Sequence, residues 1–125
     1  MDHRSFFEDM FEVVDAMDGA RFAGHFTESG VFRFGNLPPV VGRSSIEEFI
    51  TGFFASIGGI SHQFDDCWTV AEDRAICAGE VTYVRHDGSK LTVPWATVSR
   101  FEGGLLAEYQ AYVDTSQLYT TEDAA

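Results

Sequence analysis

The groups able to move protons in this chain are four histidines, His3, His25, His62 and His86, and twenty acidic side chains. Asp15 is set apart by position. It follows Phe7 and Phe11 at helical spacing, at the edge of the apolar stripe Phe7, Met10, Phe11, Val14 and Met17, so its carboxylate faces partly inward from a helix expected over residues 5–17. His62 opens an alternating row with Phe64, Asp66, Trp68 and Val70, whose apolar members mark it as the inward face of a strand over residues 61–70. A carboxylate bonded to one imidazole nitrogen fixes the tautomer and stabilises the imidazolium, leaving the other nitrogen a competent base. Such a pair can take a proton from beside a carbonyl and return it to a leaving hydroxyl or a neighbouring carbon. Singly, each residue has an ordinary alternative: Asp15 as a solvated helix-edge acid, and His62 as a strand-end histidine with a routine hydrogen bond.

Asp114 closes the last strand in Tyr112-Val113-Asp114, where Tyr112 and Gln110 share its face and offer hydrogen bonds to a carbonyl or phenol. Its ordinary alternative is to cap the turn at Thr115-Ser116. Glu80, between Ala78 and Thr82 on one strand row, is a candidate acid or base if it faces a pocket, and a cross-strand partner of Arg85 or Arg100 if it faces outward. Trp68, Trp95, Phe34, Phe53 and Phe54 read as core or pocket wall. The twelve phenylalanines point to an apolar cavity suited to a planar or polycyclic molecule. Cys67 and Cys77 fall on neighbouring strands and read as reduced, buried thiols. Neither they nor the scattered histidines have the local spacing of a metal site, so no metal is expected.

Several elements must position these groups. The first helix carries a capping box in Ser5 and Glu8, and Asp18-Gly19 ends it and begins a short second helix through Phe26. Thr27 to Gly30 reads as a turn, Val31 to Phe34 as a short strand, and Gly35 to Gly42, with Pro38-Pro39, as a loop. Ser44 and Ser45 start a third helix with Ile46, Phe49, Ile50, Phe53 and Phe54 on one side, and Gly58-Gly59 stops it. The period then changes to two, and strands over 61–70, 75–86, 90–101 and 105–113 follow with short turns between them, an antiparallel meander. Helices then strands make an α+β protein with helices on one face of a curved sheet. The later strands are apolar on both sides, as expected if the outer sheet face meets a second copy in a homodimer.

With 8 basic against 20 acidic residues, the formal charge is −12 and the sequence pI is near 4.4. That balance argues against nucleic acid and anionic membrane surfaces as partners, because both need clustered Lys and Arg. A chain of 125 residues is one domain that can hold a core without staples, residues 1–125, with 119–125 as a loose C-terminal tail. No apolar run is long enough to span a bilayer, and acids interrupt the N-terminal segment, so a cytoplasmic location is expected.

Nearly the whole chain resembles the SnoaL-like branch of the nuclear transport factor 2-like superfamily. The likeness is carried by PWATVSRFEGGLLAEYQAYVDTSQL, VVGRSSIEEFITGFFAS and the opening FFEDMFEVVDAMDGARFAGHFTESGVFRFGN. Its main features are the D-x-x-D close of the first helix, G-R-S-S-I-E-E-F at the third, and the final aromatic-x-Asp ahead of a Leu. The resemblance implies a cone-shaped α+β barrel, helices closing a strongly bent, mostly antiparallel sheet around a pocket for a small hydrophobic molecule, and dimers through the outer sheet face. It implies that Asp15 and His62 match the Asp and His pair of scytalone dehydratase and bile acid 7α-dehydratase, and that Asp114 resembles the base of SnoaL-like polyketide cyclases. The expected function is a cofactor-independent lyase (dehydratase) or isomerase on a hydrophobic carbonyl or hydroxy compound. The alternatives are a non-catalytic ligand-binding or dimerisation module, and a cyclase using Asp114. The sequence lacks the helix-one Tyr of ketosteroid isomerases, and its Arg85-His86-Asp87 falls at a turn, unlike the Asp, Arg, Asp set of limonene epoxide hydrolases.

Overall fold

The first amphipathic segment folds as α1 (His3–Asp15), starting ahead of the position its capping box implies. The cap is Asp2, whose carboxylate accepts a hydrogen bond from the Ser5 backbone N–H at 3.2 Å. An acid there satisfies an orphan donor at the positive end of the helix dipole, which leaves Ser5 inside the first turn. The structure, a computed structural model, describes residues 2–119. Of the expected tail, 120–125 lie outside the described residues, and Tyr119 at its head hydrogen-bonds Ser56 through its hydroxyl.

Asp18 caps α2 (Gly19–Ala23), accepting from the Arg21 backbone N–H at 3.1 Å. This helix is shorter than expected, because Phe26 already belongs to β1 (Phe26–Phe34). The stretch Thr27 to Gly30 is not a separate turn but an irregular part of β1, whose register against β6 (Leu105–Val113) shifts between Phe26 and Val31. Gly30 permits this close approach: a Cβ there would stand 3.0 Å from the Leu106 carbonyl oxygen. The proline loop contains β2 (Val40–Val41), an antiparallel edge on β1. Gly42, at φ 97°, turns the chain into α3 (Arg43–Ala55). Arg43 lies inside the helix and donates to the Phe26 carbonyl at 2.6 and 3.1 Å, tying α3 to β1.

The meander follows as β3 (Gly59–Ala71), β4 (Arg74–Val84), β5 (Lys90–Glu102) and β6. The sheet order is β2-β1-β6-β5-β4-β3, antiparallel except for the β1–β6 pair. With β2 and β3 at its two edges the sheet curves without closing, and the helices cover its concave face. Phe7, Met10, Phe26, Phe32, Ile46, Val81, Tyr83 and Leu106 form the centre of the core beneath them.

A bulge in β3 corrects one expectation. Phe64 pairs with Gly79 but Asp66 with Ala78, so Asp65 is an extra residue and the alternation slips by one. His62 and Phe64 keep the inner face, Cys67 joins them, and Trp68 and Val70 turn outward, 51% and 61% exposed. Trp68 is therefore not pocket wall. It forms an outer-face row with Ile76 and Val98 on β4 and β5, with exposed Tyr112 nearby on β6. Glu80 is also on the outer face, opposite Gln63 and Pro94, while Arg100 takes Glu108 at 2.6 Å and Glu102 at 3.6 Å as its partners.

Candidate active site

Asp15 is the last residue of α1, and the chain turns away immediately through Met17, at φ 56°. A carboxylate at the negative end of a helix dipole is disfavoured unless donors meet it. Here His62 supplies two. Its backbone N–H donates to Asp15 Oδ2 at 3.0 Å and its ring Nδ1 to Oδ1 at 2.7 Å. Because the carboxylate only accepts, the neutral imidazole carries its proton on Nδ1 and its lone pair on Nε2. Nε2 has no hydrogen-bond partner among the described residues. The ring is clamped by Phe11, stacked at 4.7 Å, and by Trp95, edge-on at 5.7 Å. Its side chain is 12% exposed, and that of Asp15 is 31%.

His62 stands between two spaces. On one side is an open surface groove of about 360 Å³ lined by Arg4, Glu8, Phe11, Glu12, Asp15, His62 and Phe64. On the other is an interior cavity of about 50 Å³, ringed by Phe11, Phe22, Phe32, Phe34, Phe53, Phe54, Tyr83, Tyr109 and aliphatic side chains. With about 30 Å³ as one water's share of the liquid, the cavity has room for only one or two water molecules. The phenylalanines fill the cone, so the expected space for a polycyclic molecule is not open in this conformation.

Of the residues singled out in the sequence, His62, Phe34 and Phe53 line the cavity, Asp15 reaches it through His62, and Trp95 lies behind the ring of His62. Asp114, Tyr112 and Gln110 do come together, but in a separate open cleft with Arg33 and Asn36. Asp114 accepts from the Ser116 backbone N–H at 2.9 Å, and the hydrogen bonds from Ser116 hold its carboxyl below the ordinary range. It thus caps the turn, its ordinary alternative. Tyr109 and Tyr83 also line the cavity, and the sequence analysis does not single them out. Alternation with Ala111 and Val81 was the available signal, usable only once the inward face of each strand was known. Burial pushes both phenols well above their ordinary value, so each stays a neutral donor. Among the described residues no three His, Cys, Asp or Glu side chains gather as a metal site.

A helix-covered, bent sheet of this topology is the nuclear transport factor 2-like cone fold. The SnoaL-like domain family matches residues 7–109, and the chain belongs to it. A nuclear transport factor 2-like protein of unknown function from Burkholderia pseudomallei superposes with a TM-score of 0.82 at 15% identity, over 93% of each chain. A protein provisionally described as a SnoaL-like polyketide cyclase, from Jannaschia sp. CCS1, gives 0.74 at 18% identity, over 96% of this chain and 92% of that one. TerC, co-crystallised with polyporic acid, gives 0.79 at 13% identity, over 92% and 93%. At such identities the likeness is one of fold. No curated protein matches the sequence. No helix among the described residues is long and apolar enough to cross a membrane.

Proposed function

We propose that the protein is a cofactor-independent acid–base enzyme, a dehydratase or isomerase, in which His62 is the proton-transferring group and Asp15 orients it. The observation that carries this reading is the double hydrogen bond from His62 to Asp15, which leaves Nε2 as the free basic nitrogen. In the reaction, Nε2 takes a proton from the carbon beside a substrate carbonyl. The imidazolium is stabilised by Asp15 and by the C-terminal end of α1. The same proton then goes to a β-hydroxyl leaving as water, or to the neighbouring carbon. Some relatives in fold bear names for cyclase or isomerase activity, which is compatible with proton chemistry in the cone.

Substrate size is limited by the small cavity, so the proposed substrate is a compact carbonyl or hydroxy compound that reaches His62 from the surface groove. The test is deuterium incorporation α to the carbonyl of small ketones and β-hydroxy ketones in D₂O. His62→Ala should remove it and Asp114→Asn should leave it unchanged.

The filled interior favours a second reading, a non-catalytic SnoaL-like module. Its support is the same cavity of about 50 Å³. In that case wild-type protein gives no exchange above the buffer rate with any member of the series, and the His62–Asp15 pair is a structural link between α1 and β3. Homodimerisation through the outer face is proposed with either reading, on the exposed Trp68, Ile76, Val98 and Tyr112.

A further inference from the structure

Cys67 and Cys77 are directly opposed in the β3–β4 register, with their sulfurs 3.3 Å apart. The Asp65 bulge creates this arrangement by rotating Cys67 onto the inner face, where Cys77 already points. Opposed residues on antiparallel strands have Cα atoms about 4.5–5.5 Å apart, inside the range of about 4.4–6.8 Å that a disulfide spans. The two thiols differ in access. Cys77 is fully buried, while Cys67 is partly exposed on an edge strand.

We propose that Cys67 and Cys77 form a hydroperoxide-oxidised redox pair, with Cys67 as the attacking thiol and Cys77 as the resolving one. This does not rest on the acid–base reading of His62. In the first step the Cys67 thiolate attacks one peroxide oxygen. The O–O bond breaks, the departing hydroxide takes the proton given up by the Cys67 thiol and leaves as water, and Cys67 becomes a sulfenic acid. In the second, the Cys77 sulfur attacks the sulfenic sulfur, the S–O bond breaks, and the departing hydroxide takes the Cys77 proton as a second water. The two thiols together lose two electrons to the peroxide.

The surroundings assign the order. Burial, then the contact with Cys67, pushes the Cys77 thiol far up, so it is a poor first nucleophile and needs a partner already activated beside it. Thr97 stands opposite Cys77 on β5, and its buried hydroxyl, unpartnered among the described residues, offers a donor to charge on the Cys77 sulfur. Arg4, over the Phe64 ring at 4.5 Å, is the nearby cation. The product would fasten edge strand β3, which carries His62, to β4.

Hydrogen peroxide added to the intact protein tests the pair, read by intact mass and by thiol titration after denaturation. The wild type is expected to lose both thiols and two hydrogen atoms, within a single chain, and to recover both on dithiothreitol. Cys77→Ser should stop at a Cys67 sulfenic acid trapped by dimedone, and Cys67→Ser should keep its remaining thiol reduced over the same period. Wild-type protein that goes to a Cys67 sulfinic acid with Cys77 still free, or that links only between chains, overturns the proposal. So does wild-type protein that keeps both thiols.

Discussion

His62 donates to Asp15 twice, from its backbone N–H at 3.0 Å and its ring Nδ1 at 2.7 Å, so one carboxylate fixes both the strand and the imidazole it carries. Asp15→Asn removes this double acceptance, because the amide cannot accept on both sides and one donor is left facing an NH₂ group. The expected cost is about 1–3 kcal/mol of stability by denaturant unfolding. Heteronuclear NMR should also show neutral His62 shifting away from the Nδ1–H tautomer. Unchanged stability together with an unchanged tautomer would contradict the described geometry.

Gly79 keeps β3 in the register that places His62. A Cβ there would lie 1.9 Å from the Gln63 carbonyl oxygen and 3.0 Å from the Trp95 ring. Neither the edge-strand backbone nor a buried indole can yield cheaply. Gly79→Ala is expected to lower stability by about 3–5 kcal/mol, at the upper end for single substitutions. Gly52→Ala, where no atom lies within 4 Å, serves as the control and should be neutral or slightly stabilising.

Stability should fall on the alkaline side. Burial raises the proton affinity of Tyr109, Tyr83 and Cys77 above their ordinary values of 10.0, 10.0 and 9.0. Above about pH 9 the unfolded chain releases these protons while the folded one retains them, so the unfolded state is favoured progressively as pH rises. The melting temperature should hold through neutral pH and drop from about pH 9–10 upward. Tyr109→Phe should make that drop shallower, and a wild-type profile that stays flat to pH 11 would contradict the buried placement of these groups.

The outer sheet face should hold a second copy. Trp68, Ile76 and Val98 make one apolar row across three strands, and Tyr112 is 57% exposed beside it. Light scattering at micromolar concentration should give twice the chain mass, and Val98→Asp should return it to one. A wild-type monomer would refute the dimer.

Much of this was legible in the sequence, for physical reasons that differ by element. Asp15 and His62 could be found because helical spacing and strand alternation each placed one charged or polar residue beside an apolar row, and their elements met as the family likeness implied. Trp68 was misplaced because a single inserted residue, Asp65, reverses every side chain after it, and no local pattern announces a bulge. The start of β1 was hidden because Thr27 to Gly30 has turn composition, while its pairing with β6 is a contact with a distant segment. The near absence of free space was also hidden. Twelve phenylalanines report apolar volume, but not whether the rings surround a cavity or fill it.

The proposed reaction requires Nε2 of His62 to move a substrate proton. It is tested most directly by the rate of α-deuterium exchange in D₂O, followed by proton NMR with wild-type protein and with His62→Ala across the compact ketone series. Exchange above the buffer rate is expected with at least one substrate, with a loss of about 10²–10⁴-fold in the variant. Exchange that survives His62→Ala at the wild-type rate would contradict it.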